Sequence, residues 1–338
     1  MSTEYRIIAG IAQNKKLSAA LKMTDDHKKF LGYADKTIYL SGEISKPAMK
    51  RIAKLSPLGF ILSLFFMTSP DMRAQTDVNW HDEGRDTVAV ERMLTQASEL
   101  SRAGRVAAIG RMMEGTPYVA STLEGSPERV TVNLDGLDCT TFVDNALALE
   151  KTVAEGRSGW RDFIYNLENM RYRGGHCNGY SSRLHYISDW VVENTSRGTL
   201  REVTADINGS SYQVKTLDFM TTHRDSYPAL KDQSEYERMK GVEMGYRSHR
   251  YPVITTSKLN KSNLAALREG DVIALTSKLA GLDVAHMAII TMVDGVPHML
   301  HASSAGGKVL VEPLPLTDYL KRNRQFTGIR VFRMTSTQ

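Results

Sequence analysis

Cysteine is scarce in this 338-residue chain: Cys139 and Cys177 are its only two. Two thiols do not make a disulfide scaffold, and their spacing is not the paired CxxC of a structural zinc site. Long apolar runs are missing too. The N-terminal run Leu58–Met67 spans ten residues, against about 20 for a helix that crosses a bilayer. No basic stripe interleaved with aromatics occurs, which argues against a nucleic-acid partner. The net charge of +5 is mild, and an anionic wall polymer, a membrane surface or chance would account for it equally. Repeats and low-complexity tracts are absent. With 41% apolar and 24% charged residues, the composition is that of a globular protein large enough for one big domain or two modest ones.

The first 48 residues show no sustained periodicity. Met49-Lys50-Arg51 and Lys54 then precede Leu58–Met67 and the polar exit at Ser69-Pro70. A basic segment, a short apolar segment and a polar exit are the grammar of a secretory signal peptide. Residues 49–74 are therefore expected to be a signal peptide cleaved after Ala74, although Met72 is bulky for that site. Residues 1–48 are expected to be a misassigned or disordered extension ahead of a true start at Met49. On this reading the mature protein, 75–338, is one domain, exported or periplasmic, with no stable membrane span after cleavage. The alternative is that 58–67 is a buried core segment.

Helical spacing recurs at Val90, Met93, Leu94 and Ala97, with Asp86 as the expected cap, and at Val106, Ile109 and Met113 until Gly115-Thr116-Pro117-Tyr118 breaks it. A short strand is expected at Arg129–Asn133 and a helix around Trp160–Met170, followed by a Gly-rich loop through Gly179. Residues 199–217 suggest a hairpin turning at Asn208-Gly209. A polar stretch with a helix near Ser234–Met244 follows, and the 195–260 region is expected to narrow the entrance to any cleft. Strands are expected at Val272–Leu275, Val284–Val293, Val296–Ala302, Lys308–Val311 and Gly328–Phe332.

The run Leu134-Asp-Gly-Leu-Asp-Cys-Thr-Thr-Phe142 reads as a turn that feeds a helix, because Phe142, Ala146, Leu149 and Val153 repeat at helical spacing. Cys139 falls in its first turn, where free N–H groups and the helix dipole favour an anion, so a lowered thiol pKa is expected. The alternative is a small cysteine packed as a hydrophobe.

Histidine parity adds to this. If Asp294-Gly295 is a two-residue loop, facing positions sum to 589, so His301 faces position 288 and His286 faces 303. His286 and His301 then share a sheet face as diagonal neighbours, and His298 takes the other. A bulge at Pro297 or a three-residue loop would reverse that parity. A nucleophile with two converging imidazoles suggests Cys139 as nucleophile, His286 as base and His301 as the residue that orients it. Structural histidines are the bland alternative. A zinc site of His298, His301 and Cys139 is disfavoured by parity, and no metal or organic cofactor is implied.

Taken together, Gly115-Thr-Pro-Tyr118, Leu137-Asp-Cys-Thr-Thr-Phe142, Gly270-Asp271 before a strand, His286 near the start of an apolar strand and His301-Ala-Ser303 resemble the NlpC-type cell-wall cysteine hydrolases, which are papain-like. Ser182-Arg-Leu-His-Tyr186 with Trp190, and Leu282-Asp-Val-Ala-His286, resemble more narrowly their N-acetylmuramoyl-L-alanine amidase-like branch, long carried as a domain of unknown function. The resemblance runs from about residue 85 to about residue 333. It implies an α+β, papain-like fold enlarged by insertions, with the cysteine helix packed on an antiparallel sheet that bears both histidines. It also implies Cys139, His286 and His301 as catalytic residues and Tyr118 near the oxyanion. Asp138 is implied to orient a stem peptide, and Arg183 and His185 to contact its carboxylates or the lactyl-sugar part. For Arg183 a salt bridge within the fold is an equal alternative, and for Asp138 a helix cap. The expected activity is cleavage of the N-acetylmuramoyl–L-alanine amide of peptidoglycan or muropeptide fragments. The alternatives are a γ-D-glutamyl endopeptidase, acyl transfer by the same residues, or a non-catalytic wall-binding or envelope interaction protein. A Cys139–Cys177 disulfide would favour the last.

Overall fold

Three apolar strands, Val272–Ser277 (β6), Val284–Val293 (β7) and Val296–Ser303 (β8), form the centre of the protein. The structure is a computed structural model that describes residues 77–335. The extension and signal peptide expected at 1–48 and 49–74 lie outside the described residues. Alternation along β6–β8 buries residues on both faces. Val272, Ala274, Met287, Ile289, Leu300 and Ala302 join one core, and Ile273, Leu275, Ala288, Ile290 and Met299 join another. A sheet covered on both sides reads as near-continuous hydrophobic strands, as these do.

The other strands of this sheet are Leu200–Glu202 (β3), Ser211–Lys215 (β4), His249–Thr255 (β5), Lys308–Val311 (β9) and Phe326–Met334 (β10). Its order is β4-β5-β10-β6-β7-β8-β9, with β3 also on β10, and its pairings are antiparallel. The last strand of the chain thus lies in the middle. A separate parallel pair joins Val78–Trp80 (β1) to Val130–Val132 (β2).

Helices cover one face of the sheet: Glu83–Ser98 (α1), Arg105–Met112 (α2), Cys139–Ala154 (α3), Trp160–Arg171 (α4) and Ile187–Ser196 (α5). Gln233–Met244 (α6) belongs to the polar stretch, and Leu316–Arg322 (α7) covers the other face with Leu316 and Leu320. No described helix is long and apolar enough to cross a membrane. Helix α3 is apolar almost all round, and Phe142, Val143, Ala146, Ala148 and Leu149 have no exposed surface, the pattern of a helix enclosed by its neighbours. It packs on β7 and β8. At that contact a Cβ on Gly110 of α2 would stand 2.8 Å from Leu300 and 3.1 Å from Phe142, so the close approach needs glycine.

Two sequence expectations are corrected. Helix α1 is capped by Asp82, not Asp86. Asp86 is buried inside the helix, where its carboxylate accepts the Asp82 and Leu134 N–H groups and ties α1 to the turn ahead of α3. The 199–217 hairpin does not form either: β3 pairs with β10, and β4 with β5. The local Asn208-Gly209 turn signal loses to a long-range pairing anchored by Arg330, whose guanidinium makes two 2.9 Å bonds to Glu202.

A buried polar network fixes α3 to its neighbours. Asp144 accepts from Arg171 Nε at 3.1 Å and from Trp190 Nε1 at 3.2 Å, while Arg171 also donates to the Thr131 carbonyl at 2.8 Å. Both charged side chains are 2% exposed. Removing one partner of such a pair strands the other charge in a low-dielectric interior. Asp144→Ala is expected to cost about 3–5 kcal/mol, measured from urea unfolding. A loss under about 1 kcal/mol, the value of a surface pair, would show that the network does not hold α3 in place.

Candidate active site

The site begins with a helix cap. Asp138 Oδ1 accepts from the Thr140 and Thr141 N–H groups at 3.0 and 2.8 Å, and Thr141 Oγ1 accepts in return from the Asp138 N–H at 2.9 Å. This reciprocal capping box starts α3 at the next residue, which is Cys139. Asp138 is therefore the cap that the sequence left open as an alternative, and its charge stands next to the sulfur.

Cys139 is half-buried, and the backbone N–H of Met287 donates to its sulfur. That contact brings the start of α3 to β7, one residue past His286. The thiol does not have the lowered pKa expected for a helix start. Burial, and then the Asp138 carboxylate, push it up to about 11, which the Met287 N–H, the Thr140 hydroxyl and Cys139's own N–H only partly offset. Both cysteines are free, and Cys177 Sγ lies 3.6 Å from the Glu128 carbonyl oxygen.

The β7–β8 register pairs Val293 with Val296 and Ile289 with Leu300, the two-residue-loop arithmetic of the sequence. His286 Nε2 lies 2.7 Å from His301 Nδ1, with the rings nearly perpendicular. His301 is 1% exposed. Burial lowers the pKa of both rings, and His301 lowers that of His286 further. His286 lies opposite Leu275 and so faces the second core, beside Phe326, while His301 lies beside Tyr319. Helix α3 and the imidazoles thus occupy opposite faces of the same strands and meet at the β7 backbone. His298 points the other way, opposite Thr291, and its Nδ1 donates to the Glu312 carbonyl at 2.8 Å. Among the described residues no group of three or more His, Cys, Asp or Glu is arranged to hold a metal ion.

Tyr118 is held from two sides. It bridges to Leu137, just ahead of Asp138, and its N–H donates to the Gly307 carbonyl at 2.9 Å. Burial, the sulfur and Asp138 all raise the pKa of its phenol, which favours the protonated, hydrogen-bond-donating form.

Arg183 and His185 belong to a second cluster. The Arg183 side chain is 7% exposed, 2.8 Å from Glu124 and 3.1 Å from Glu128, with its guanidinium over the Tyr180 ring. Its charge is already matched, which is the salt-bridge alternative. His185 Nε2 is 2.9 Å from the Tyr180 carbonyl oxygen, and burial beside Arg183 lowers its pKa to about 3.

Sequence reasoning missed Glu312 and Tyr319. Glu312 Oε2 is 3.6 Å from His301 Nε2. Extending the parity arithmetic one strand further would have found it: Leu310 faces His301, and the Glu312 N–H bonds the Met299 carbonyl, which places Glu312 on the histidine face.

A family model described as N-acetylmuramoyl-L-alanine amidase-like matches residues 108–329. No curated protein matches the chain. Among solved structures, an N-acetylmuramoyl-L-alanine amidase from Bacteroides uniformis is 36% identical with a TM-score of 0.65, covering 70% of this chain and 100% of that one. A putative xylanase from Bacteroides fragilis is 40% identical with a TM-score of 0.62, over 67% of this chain and 99% of that one. A Legionella pneumophila protein, 22% identical with a TM-score of 0.59 over 75% of this chain and 95% of that one, shares the fold. With a match this long and with relatives spanned end to end, the chain belongs to the N-acetylmuramoyl-L-alanine amidase-like family.

Proposed function

We propose that this protein is an exported, papain-like cysteine amidohydrolase of the NlpC type that cleaves the N-acetylmuramoyl–L-alanine amide of muropeptides. The observation that carries the proposal is the meeting of a helix-start cysteine with the β7 backbone beside a 2.7 Å histidine pair, in a chain of this family. Peptidoglycan or its fragments are the partner this chemistry requires, and a wall substrate implies export.

In the proposed reaction His286 takes the Cys139 thiol proton and the sulfur attacks the lactyl carbonyl carbon. The tetrahedral oxyanion is held by the Cys139 backbone N–H and the Tyr118 hydroxyl. His286 then protonates the L-alanine nitrogen, the C–N bond breaks, and the muramoyl group stays on sulfur as a thioester. Water gives a proton to His286 and attacks the thioester, which releases the acid and restores the thiol. His301 orients His286. Asp138, beside the sulfur, would orient the stem peptide, and Arg183 and His185, in a separate cluster, would contact its carboxylates or the lactyl-sugar part. The raised thiol pKa and lowered imidazole pKa mean that the resting pair is neutral, so proton transfer accompanies attack and no ion pair is stored beforehand.

Two measurements test this. In the resting protein the iodoacetamide rate at Cys139, taken as the difference between wild type and Cys139→Ala, is expected to rise about tenfold per pH unit from pH 6 to 9 without a plateau, as for a thiol titrating well above that range. A plateau near pH 6 would instead indicate a preformed thiolate–imidazolium pair. On a muropeptide mixture, mass spectrometry is expected to show free peptides starting with L-alanine for wild type and none for Cys139→Ala. Released L-Ala-D-Glu would assign the γ-D-glutamyl endopeptidase reading, and an unchanged mixture would assign the wall-binding one.

A further inference from the structure

The far end of the histidine pair meets a carboxylate that has no part in the steps above. His286 Nε2 and His301 Nδ1, 2.7 Å apart, share one proton. If His301 donates it, His286 carries its own proton on Nδ1 and has no free lone pair with which to take one from sulfur. If His286 donates from Nε2, its Nδ1 is left free as the base, and His301 must then carry its proton on Nε2. That nitrogen is buried and has no hydrogen-bond partner. The group beside it is Glu312 Oε2, at 3.6 Å.

Glu312 is well placed for such a role. Its side chain is 14% exposed. Its N–H donates to the Met299 carbonyl at 2.7 Å, and its own carbonyl accepts from His298 at 2.8 Å. Oε1 accepts the Leu314 N–H at 3.3 Å, so Oε2 is the oxygen directed at His301. An ionised carboxylate only accepts hydrogen bonds, and it therefore stabilises the Nε2–H form of His301 over the Nδ1–H form. An unpaired buried N–H is costly, and the 3.6 Å gap closes to a hydrogen bond with a shift of well under 1 Å.

We propose that Glu312 is a positioning residue that sets the tautomers of His301 and, through it, of His286, leaving the His286 lone pair for the sulfur. This rests on the reading of Cys139, His286 and His301 given above. Glu312→Gln tests it, because Oε1 can still accept from Leu314 while the amide turns a donor toward His301.

The experiment is nitrogen-15 NMR of histidine-labelled full-length protein, together with kcat and KM on muropeptides. In wild type both His286 and His301 are expected as Nε2–H tautomers. In Glu312→Gln both are expected to move to Nδ1–H, with kcat down about 100-fold or more and KM within about twofold, because a misassigned tautomer disables a base whose geometry is intact. Glu312→Asp is expected to keep the wild-type tautomers and recover part of kcat. An Nδ1–H His301 in wild type, or unchanged tautomers and kcat in Glu312→Gln, would overturn the proposal. The NMR result holds whatever the reaction is. Full activity in Cys139→Ala would refute the reading of the site, whereas loss there combined with an indifferent Glu312→Gln would refute the role of Glu312 alone.

Discussion

The pairing of β7 with β8 is the constraint on which the site depends. Asp294 and Gly295 both take positive φ, 50° and 75°, the backbone of a two-residue hairpin turn whose twist matches its strands. That turn sets Val293 against Val296 and so decides the face of every later residue. Strand side chains alternate strictly, and a slip of one position would send His301 to the α3 side and bring Leu300 or Ala302 to its place. The cores on the two faces oppose such a slip, since it would exchange the packed residues of both. Register is therefore stabilised far from the histidines by ordinary apolar packing.

The electrostatics follow from where these strands lie. Both histidines sit in a region covered on its far side by Tyr319 and Phe326, so their charged forms are disfavoured. The sulfur stands between a favourable helix start and an unfavourable neighbour, because the residue best suited to capping α3 is an aspartate. Asp138 gives the helix its first turn and opposes the thiolate with the same carboxylate. Burial and this carboxylate together favour the protonated thiol, and oxidation follows thiolate character and exposure.

Much of this was legible in the sequence, and the failures have physical causes. Short-range signals held where a turn and a periodic face agreed, as at Asp135-Gly136 leading into Phe142, Ala146 and Leu149, and again at Asp294-Gly295. They failed at Asn208-Gly209, where the turn forms but its flanking strands find longer partners in β10 and β5. Asp86 misled as a cap because a carboxylate one turn inside a helix looks the same in sequence as one at its start. The pairing that decided its place, with the Leu134 N–H, lies 48 residues away. The thiol pKa was misjudged because helix position is visible in sequence and burial is not. Glu312 was missed because it follows β9, two strands from His286 on β7, and the parity arithmetic stopped at β8.

The loop carrying Tyr118 shows how such distant pieces are kept in step. Leu137 bonds to it on one side, and Gly307, in the turn between β8 and β9, on the other. The Gly115 N–H also bonds the Val309 carbonyl, and the Val309 N–H bonds Thr116, both near 2.9 Å. The loop is thus an extra strand segment inserted between the lead-in to α3 and the outer edge of the sheet. β9 is that edge, and Glu312 immediately follows it. A displacement of β9 would bear on Tyr118 and Glu312 together, at opposite sides of the proposed site, while β7 is held inside the sheet by β6 and β8. Tyr118 and Glu312 therefore share one mechanical support, and Cys139 and His286 share another.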